Sequence, residues 1–182
     1  MSPTTTTTTP TKTTSISAAD TARLVRQALA KAFPRIKFSV RTKTYSGGAS
    51  IDVGWLDGPT EKQVEAVTHR YEGAHVDGMI DLKESVYHEV DGRRVRYGAD
   101  YIHTRRRYSV AFAQRIADEV AADWGQPWPT IAANPDDGCA RIDAGGEAVE
   151  PGNGFRGDTL GDLIYQELHK TDAREEAPTT TA

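Results

Sequence analysis

Hydrophobic and polar positions alternate with period two on both sides of Tyr45-Ser46-Gly47-Gly48. Ile36, Phe38 and Val40 alternate with Lys37, Ser39 and Arg41, and Ile51, Val53 and Trp55 alternate with Asp52 and Gly54. Successive side chains of a strand face opposite ways, so this pattern predicts a β-hairpin with one apolar face that needs a cover. Upstream the period becomes helical. Leu24, Val25, Ala28, Leu29, Ala32 and Phe33 share one face behind a capping start at Ser17-Ala18-Ala19-Asp20, and Pro34 ends the run. Downstream, Asp57-Gly58-Pro59-Thr60 reads as a turn. Thr60 and Gln63 have capping-box spacing for a second helix carrying Val64, Val67 and Tyr71.

Residues 75–81 read as an irregular segment. Val86, His88 and Val90 then alternate up to Asp91-Gly92, the signal of a two-residue type I′ turn. The implied register pairs His88 with Val95, Glu89 with Arg94 and Tyr87 with Arg96. Gly98 interrupts the run, and residues 99–104 resume as a further strand. Ser109 caps a third helix with Ala113, Ile116, Ala117, Val120 and Trp124 on its apolar side. After Gly125 the periodicity dissolves into Pro, Gly and acidic residues. Asp158 is positioned to cap a short last helix bearing Leu160, Leu163, Ile164 and Leu168, which needs a docking surface to be stable.

The sum is an α+β fold in the order α-β-β-α-(β-β-β)-α. It predicts an antiparallel or mixed sheet of about five strands with helices mainly on one face. The expected organisation is a disordered Thr-rich tail over 1–16, a domain over 17–125 and a linker over 126–157. A C-terminal helix over 158–170 and a disordered tail over 171–182 complete it.

Composition adjusts this picture in three ways. Only 37% of the residues are hydrophobic and the mean hydropathy is -0.57, but the polar excess sits at the two ends. Residues 1–133 hold 18 Lys/Arg against 15 Asp/Glu, whereas residues 134–182 hold 4 against 11, so a mildly basic body carries an acidic tail. A single cysteine, Cys139, excludes an internal disulfide and fits a reducing compartment. No apolar run approaches the length of a membrane span, and the N-terminus lacks a signal peptide's apolar core. A cytoplasmic location without membrane association is the expectation.

Three segments together carry a family resemblance. They are Ala32-Phe33-Pro34 leading to Lys37-Phe38-Ser39-Val40-Arg41, the stretch Ser46–Trp55 with Asp57-Gly58-Pro59-Thr60, and Asp77–Asp81 with Tyr97-Gly98-Ala99-Asp100-Tyr101-Ile102. In these the chain resembles the large polyvalent protein-associated domain 29 family over roughly residues 18–124. The resemblance implies an accessory domain of a phage, plasmid or conjugative element working in a bacterial host cell. It supplies no catalytic residues.

The residues themselves point to nucleic acid more than to a reaction. Arg93, Arg94, Arg96, Arg105, Arg106 and Arg107 crowd fifteen positions, with Tyr87, Tyr97, Tyr101 and Tyr108 close by. Arginines pair with phosphates and aromatic rings stack on exposed bases, so Arg94, Arg96, Arg105, Arg106, Arg107 and Tyr87 are the candidate contacts. A second candidate is a ligand loop formed by Lys43, Ser46, Gly47, Gly48 and Ser50, the place of an active site if the chain is an enzyme, although a strand rather than a helix follows it, unlike a P-loop. A third is a protein partner taken by the C-terminal helix and acidic tail. His75, Asp77 and Asp81 form a loose acidic corner without a recognised metal spacing. No G-x-S-x-G, H-E-x-x-H or Walker A pattern occurs, so no catalytic residue, metal or cofactor is assigned.

Overall fold

The computed structural model describes residues 13–77, 82–125, 130–142 and 159–174. Its centre is the expected hairpin. Strands β2 (Ser39–Tyr45) and β3 (Gly48–Leu56) are antiparallel, with Val40 opposite Val53 and Tyr45 opposite Gly48. Before them come a two-residue strand β1 (Thr14–Ser15) and helix α1 (Ala18–Ala32). Ser17 caps α1, its hydroxyl accepting from the Asp20 amide at 3.1 Å. Thr60 and Gln63 close both bonds of the capping box of α2 (Glu61–Thr68), which runs into a 3-10 turn over His69–Tyr71.

The apolar face of the sheet meets α1 and α2. Val25, Leu29, Ile51, Val53, Trp55 and Val64 form the heart of this first core, all at most 1% exposed. Trp55 fills the seam and still satisfies its indole, which donates to Pro59 O at 2.9 Å. Side chains of this size contribute about 1.5–3 kcal/mol each when buried, so this cluster dominates the stability of the N-terminal part. The buried face of α1 is Thr21, Ala22, Val25 and Leu29, turned slightly from the expected stripe. Leu24 and Ala28 flank it and Ala32 is exposed.

The chain then makes two small hairpins. The first, β4 (Ala74–Asp77) with β5 (Leu82–Ser85), occupies part of the segment expected to be irregular. The second, β6 (His88–Val90) with β7 (Arg93–Arg96), has the register read from Asp91-Gly92 for His88–Val95 and Glu89–Arg94. Both turn residues have positive φ, as a type I′ turn requires. β1 adds to this hairpin in parallel alongside β7, so Thr14 and Ser15 belong to a strand and not to a disordered tail.

The expected five-stranded sheet is instead divided. β8 (Tyr101–Arg107) leaves the hairpin and pairs in parallel with β3, giving a mixed sheet of order β2-β3-β8 beside the separate β1-β7-β6 sheet. Two physical causes are visible. At Gly98 and Gly73 backbones pass so closely that a Cβ would lie 2.5 Å from Ile16 O and 2.1 Å from Tyr97 O, respectively. The strand is therefore pinned and re-aimed there. Further on, the outer edge of β8 is closed by glutamates rather than by another strand. Glu72 accepts from the Ile102 amide at 3.0 Å, Glu61 from the Arg106 amide at 2.8 Å, and Glu65 from the Thr104 hydroxyl at 3.1 Å. Acidic side chains from α2 and its 3-10 turn thus cap an edge that would otherwise template more strands.

Helix α3 (Val110–Trp124), capped by Ser109, packs against α4 (Leu160–Lys170) in a second core of Tyr108, Phe112, Ile116, Ile131, Ile164 and Leu168. The cap of α4 is Thr159 with Asp162 at the capping-box position; Asp158 lies outside the described residues. Part of the expected linker is a short hairpin, β9 (Ala132–Ala133) with β10 (Ala140–Arg141), tied to α3 by the Ile131 amide donating to Gln114 at 2.7 Å. Likewise residues 171–174 are packed: the Ala173 amide donates to Gly58 O at 3.0 Å, and Arg174 lies 4.8 Å over the Phe33 ring. Residues 1–12, 78–81, 126–129, 143–158 and 175–182 are outside the described residues. So are the expectations that fall on them, including the Asp81 corner and most of the tails.

Candidate nucleic-acid interface

The six clustered arginines do not form one surface. β8 alternates, and its parallel register sets Arg106 beside Trp55 on the core face while Arg105 and Arg107 neighbour Gly54 and Leu56 on the other. Arg106 is 6% exposed. Its Nε donates to Asp57 O at 3.1 Å, Nη2 to Gly58 O at 2.9 Å, and Nη1 to Leu168 O and Thr171 O at 2.9 Å each. Burial lowers its pKa from the ordinary guanidinium value, while Tyr108, Asp57, Asp172 and Glu61 act in the other direction. The side chain is a staple between the α2 entry turn and the end of α4. Arg106 is thereby corrected from a candidate phosphate contact to an internal strut, because a buried guanidinium with four of its five N–H donors on backbone carbonyls is not available to a phosphate.

The hairpin arginines separate as well. Arg94 stacks on Tyr87 with its guanidinium carbon 4.0 Å from the ring centroid. Arg96 turns inward to Asp100 at 3.9 Å. Asp100 is buried and also accepts from the Tyr45 hydroxyl at 3.0 Å and the Ala49 amide at 3.2 Å, so it joins the hairpin to the start of β8. The ligand-loop residues do not converge on a cradle either. Ser46-Gly47 is the two-residue turn of β2–β3, Gly48 pairs within the ladder, Ser50 is buried, and the Lys43 amine sits 2.6 Å from Asp52.

What the fold does assemble is the second face of the β2-β3-β8 sheet. Arg41, Asp52 and His103 form one row across it, Lys43, Ser50 and Tyr101 the next, and Ser39, Gly54 and Arg105 another. Arg41, Lys43, His103, Arg105, Arg107 and Leu56 are all exposed. Four permanent cations therefore face a single carboxylate, Asp52, among the described residues of that face. Arg107 is held by Asp137 at 3.4 Å, whereas Arg41 and Arg105 make no ion pair among the described residues. Tyr101 and His103 place their rings 6.3 Å apart along the strand. Arg41 was missed as a candidate because the sequence shows it alone, 64 positions from Arg105; only pairing through β3 brings them together.

Around the edge of β8 this face continues into a cavity of about 580 Å³, lined by Arg105 and Arg107, the β9–β10 hairpin, Tyr108, and Tyr165 and His169 of α4.

The architecture is that of an α+β domain with helices on one side of a short mixed sheet and a basic, aromatic-bearing face left open on the other. The family model of large polyvalent protein associated domain 29, LPD29, matches residues 16–109, and the chain belongs to that family, a type of accessory domain associated with mobile elements. The matched segment begins just after β1, runs to the cap of α3 and so contains the open face but not α3, α4 or the β9–β10 hairpin. No curated protein and no solved structure matches the chain. Among the described residues, no helix is long and apolar enough to cross a membrane.

Proposed function

We propose that this LPD29 protein is an accessory module of a phage, plasmid or conjugative element that binds single-stranded nucleic acid across the open face of its β2-β3-β8 sheet. The observation that carries the reading is the uncovered face itself, with Arg41, Lys43, Arg105 and Arg107 around Tyr101 and His103. Cations spaced across a sheet track a phosphate backbone, and the rings between them offer stacking surfaces to unpaired bases. Arg94 on Tyr87 extends the same chemistry onto the neighbouring hairpin.

Capture of a protein by the C-terminal helix is the weaker reading. Leu160, Ile164 and Leu168 are buried in the second core, so that helix has spent its apolar stripe within the chain.

Fluorescence anisotropy with labelled single- and double-stranded DNA at two salt concentrations tests the proposal. The expected result is preferential binding of the single strand, weakening with salt at a log–log slope of about -3, since each of the four phosphate contacts on a single strand contributes about -0.7. Arg41→Glu/Arg105→Glu abolishes it. Binding by that double variant equal to wild type, or no binding by either, sinks the reading.

A further inference from the structure

We infer that the cavity beside β8 is a pocket for one nucleotide, its base stacked on Tyr165 and its phosphate held by Arg105. This deepens the single-strand reading and rests on it: the pocket lies where a strand crossing the open face would pass over the edge of β8. Three independent features point to such a ligand. The first is an unmet donor. Tyr108 lines the cavity, is 7% exposed, and among the described residues its hydroxyl has no hydrogen-bond partner. A buried hydroxyl without a partner is uncommon and calls for a ligand group or water to complete it.

The second feature is an aromatic wall. Tyr165 is 49% exposed, and its ring centroid lies 4.5 Å from that of His169 and 6.5 Å from that of Tyr108. His169 directs Nδ1 to Tyr165 O at 2.8 Å, which fixes the ring and leaves Nε2 without a partner among the described residues. The third is charge. Arg105, without an ion pair among the described residues, lines the cavity together with Arg107, which is held on Asp137, and Glu61, which accepts from the Arg106 amide. A volume of about 580 Å³ is within the usual range of small-molecule pockets. A planar ring carrying hydrogen-bonding edges and an anion is the ligand class that uses all three features. The aromatic wall comes from α4 and the hairpin lies beyond residue 109, so the pocket is built mostly outside the segment matched to the family.

The test is titration of the full chain with deoxyadenosine 5′-monophosphate, followed by calorimetry and amide chemical shifts. Shifts are expected at Tyr108, Tyr165 and His169. Affinity should fall about tenfold in Tyr165→Ala, the scale of one lost base stack, and several-fold in Tyr108→Phe. Deoxyadenosine without its phosphate should bind about tenfold more weakly, as should Arg105→Ala for the nucleotide. Absence of shifts at those three residues, or an affinity unchanged in Tyr165→Ala, overturns the pocket. The two readings fail separately. A long single strand that binds with salt dependence and is indifferent to Tyr165→Ala, with no response to the mononucleotide, removes the pocket and keeps the open face. Mononucleotide binding without strand binding removes the open face and leaves a pocket for free nucleotide.

Discussion

Arg106 donates from all three of its guanidinium nitrogens to carbonyls in two distant parts of the chain, the turn before α2 and the end of α4. Removing it leaves four acceptors to find water in a place water reaches poorly. Arg106→Ala should therefore lose about 3 kcal/mol or more, read as a lower urea midpoint, and Arg106→Lys should rescue little because an ammonium lacks the planar fork. A variant as stable as wild type would mean that the strut is dispensable. Its neighbour Tyr108 makes a prediction in pH. Burial, the largest influence, pushes its phenol up to about 12, with Arg106 opposing. The folded state thus holds the phenolic proton more tightly than the unfolded chain, whose tyrosines titrate near 10. That contribution is complete below pH 10 and is lost as pH rises towards 12, at most about 2–3 kcal/mol. The slope of stability over that window should flatten in Tyr108→Phe, while near neutral pH the same substitution should cost little. Equal slopes in the two proteins would refute the assignment.

At the scale of elements, the glutamates along β8 limit the sheet to three strands. Glu61→Ala/Glu72→Ala would free the amides of Arg106 and Ile102, costing about 1–3 kcal/mol for each bond left unmade. It would also open a strand edge to pairing with a second copy. Light scattering should show concentration-dependent self-association that wild type lacks; a monodisperse double variant would discount the capping role. This is also where reading the chain alone stops. The central hairpin, the Thr60/Gln63 capping box, the type I′ register and the three long helices are local, decided by residues within a turn or a pair of strands, and so are visible as spacing; the Thr159/Asp162 box of α4 was not read. The partition of strands between sheets is not local. It depends on Gly73 and Gly98 meeting backbone from elsewhere, and on carboxylates of α2 reaching β8, neither of which leaves a periodic trace. For the candidate interface the same division holds. Alternation along a strand separates Arg105 and Arg107 from Arg106. Which side faced the core was set by pairing with β3, and Arg41 joined the site only through that strand.

At the scale of the whole molecule, two cores meet through Arg106. The first lies wholly within the family segment; the second takes Tyr108 from that segment and its remaining members from beyond it. A cut at Gly125 would look, from composition, like trimming an acidic tail from a basic body. In the structure it removes Ile131, Leu160, Ile164 and Leu168 from the second core and strips Arg106 of two acceptors. Four buried aliphatic side chains stand for about 5 kcal/mol or more, comparable with the whole margin of a domain of this size. A chain ending at Gly125 should therefore melt far lower, bind a hydrophobic dye through exposed Phe112 and Ile116, and expose any nucleic-acid measurement to artefacts of unfolding. One ending just after Arg174 keeps the Ala173 amide on Gly58 and the Asp172–Arg174 pair, and should match wild type within about 0.5 kcal/mol. Thermal unfolding of the two truncations, followed by circular dichroism, decides the matter. If the shorter chain unfolds as cooperatively and at the same midpoint as the longer, the second core does not support the first. Only then could the acidic segment be removed cleanly to ask whether it screens the basic face.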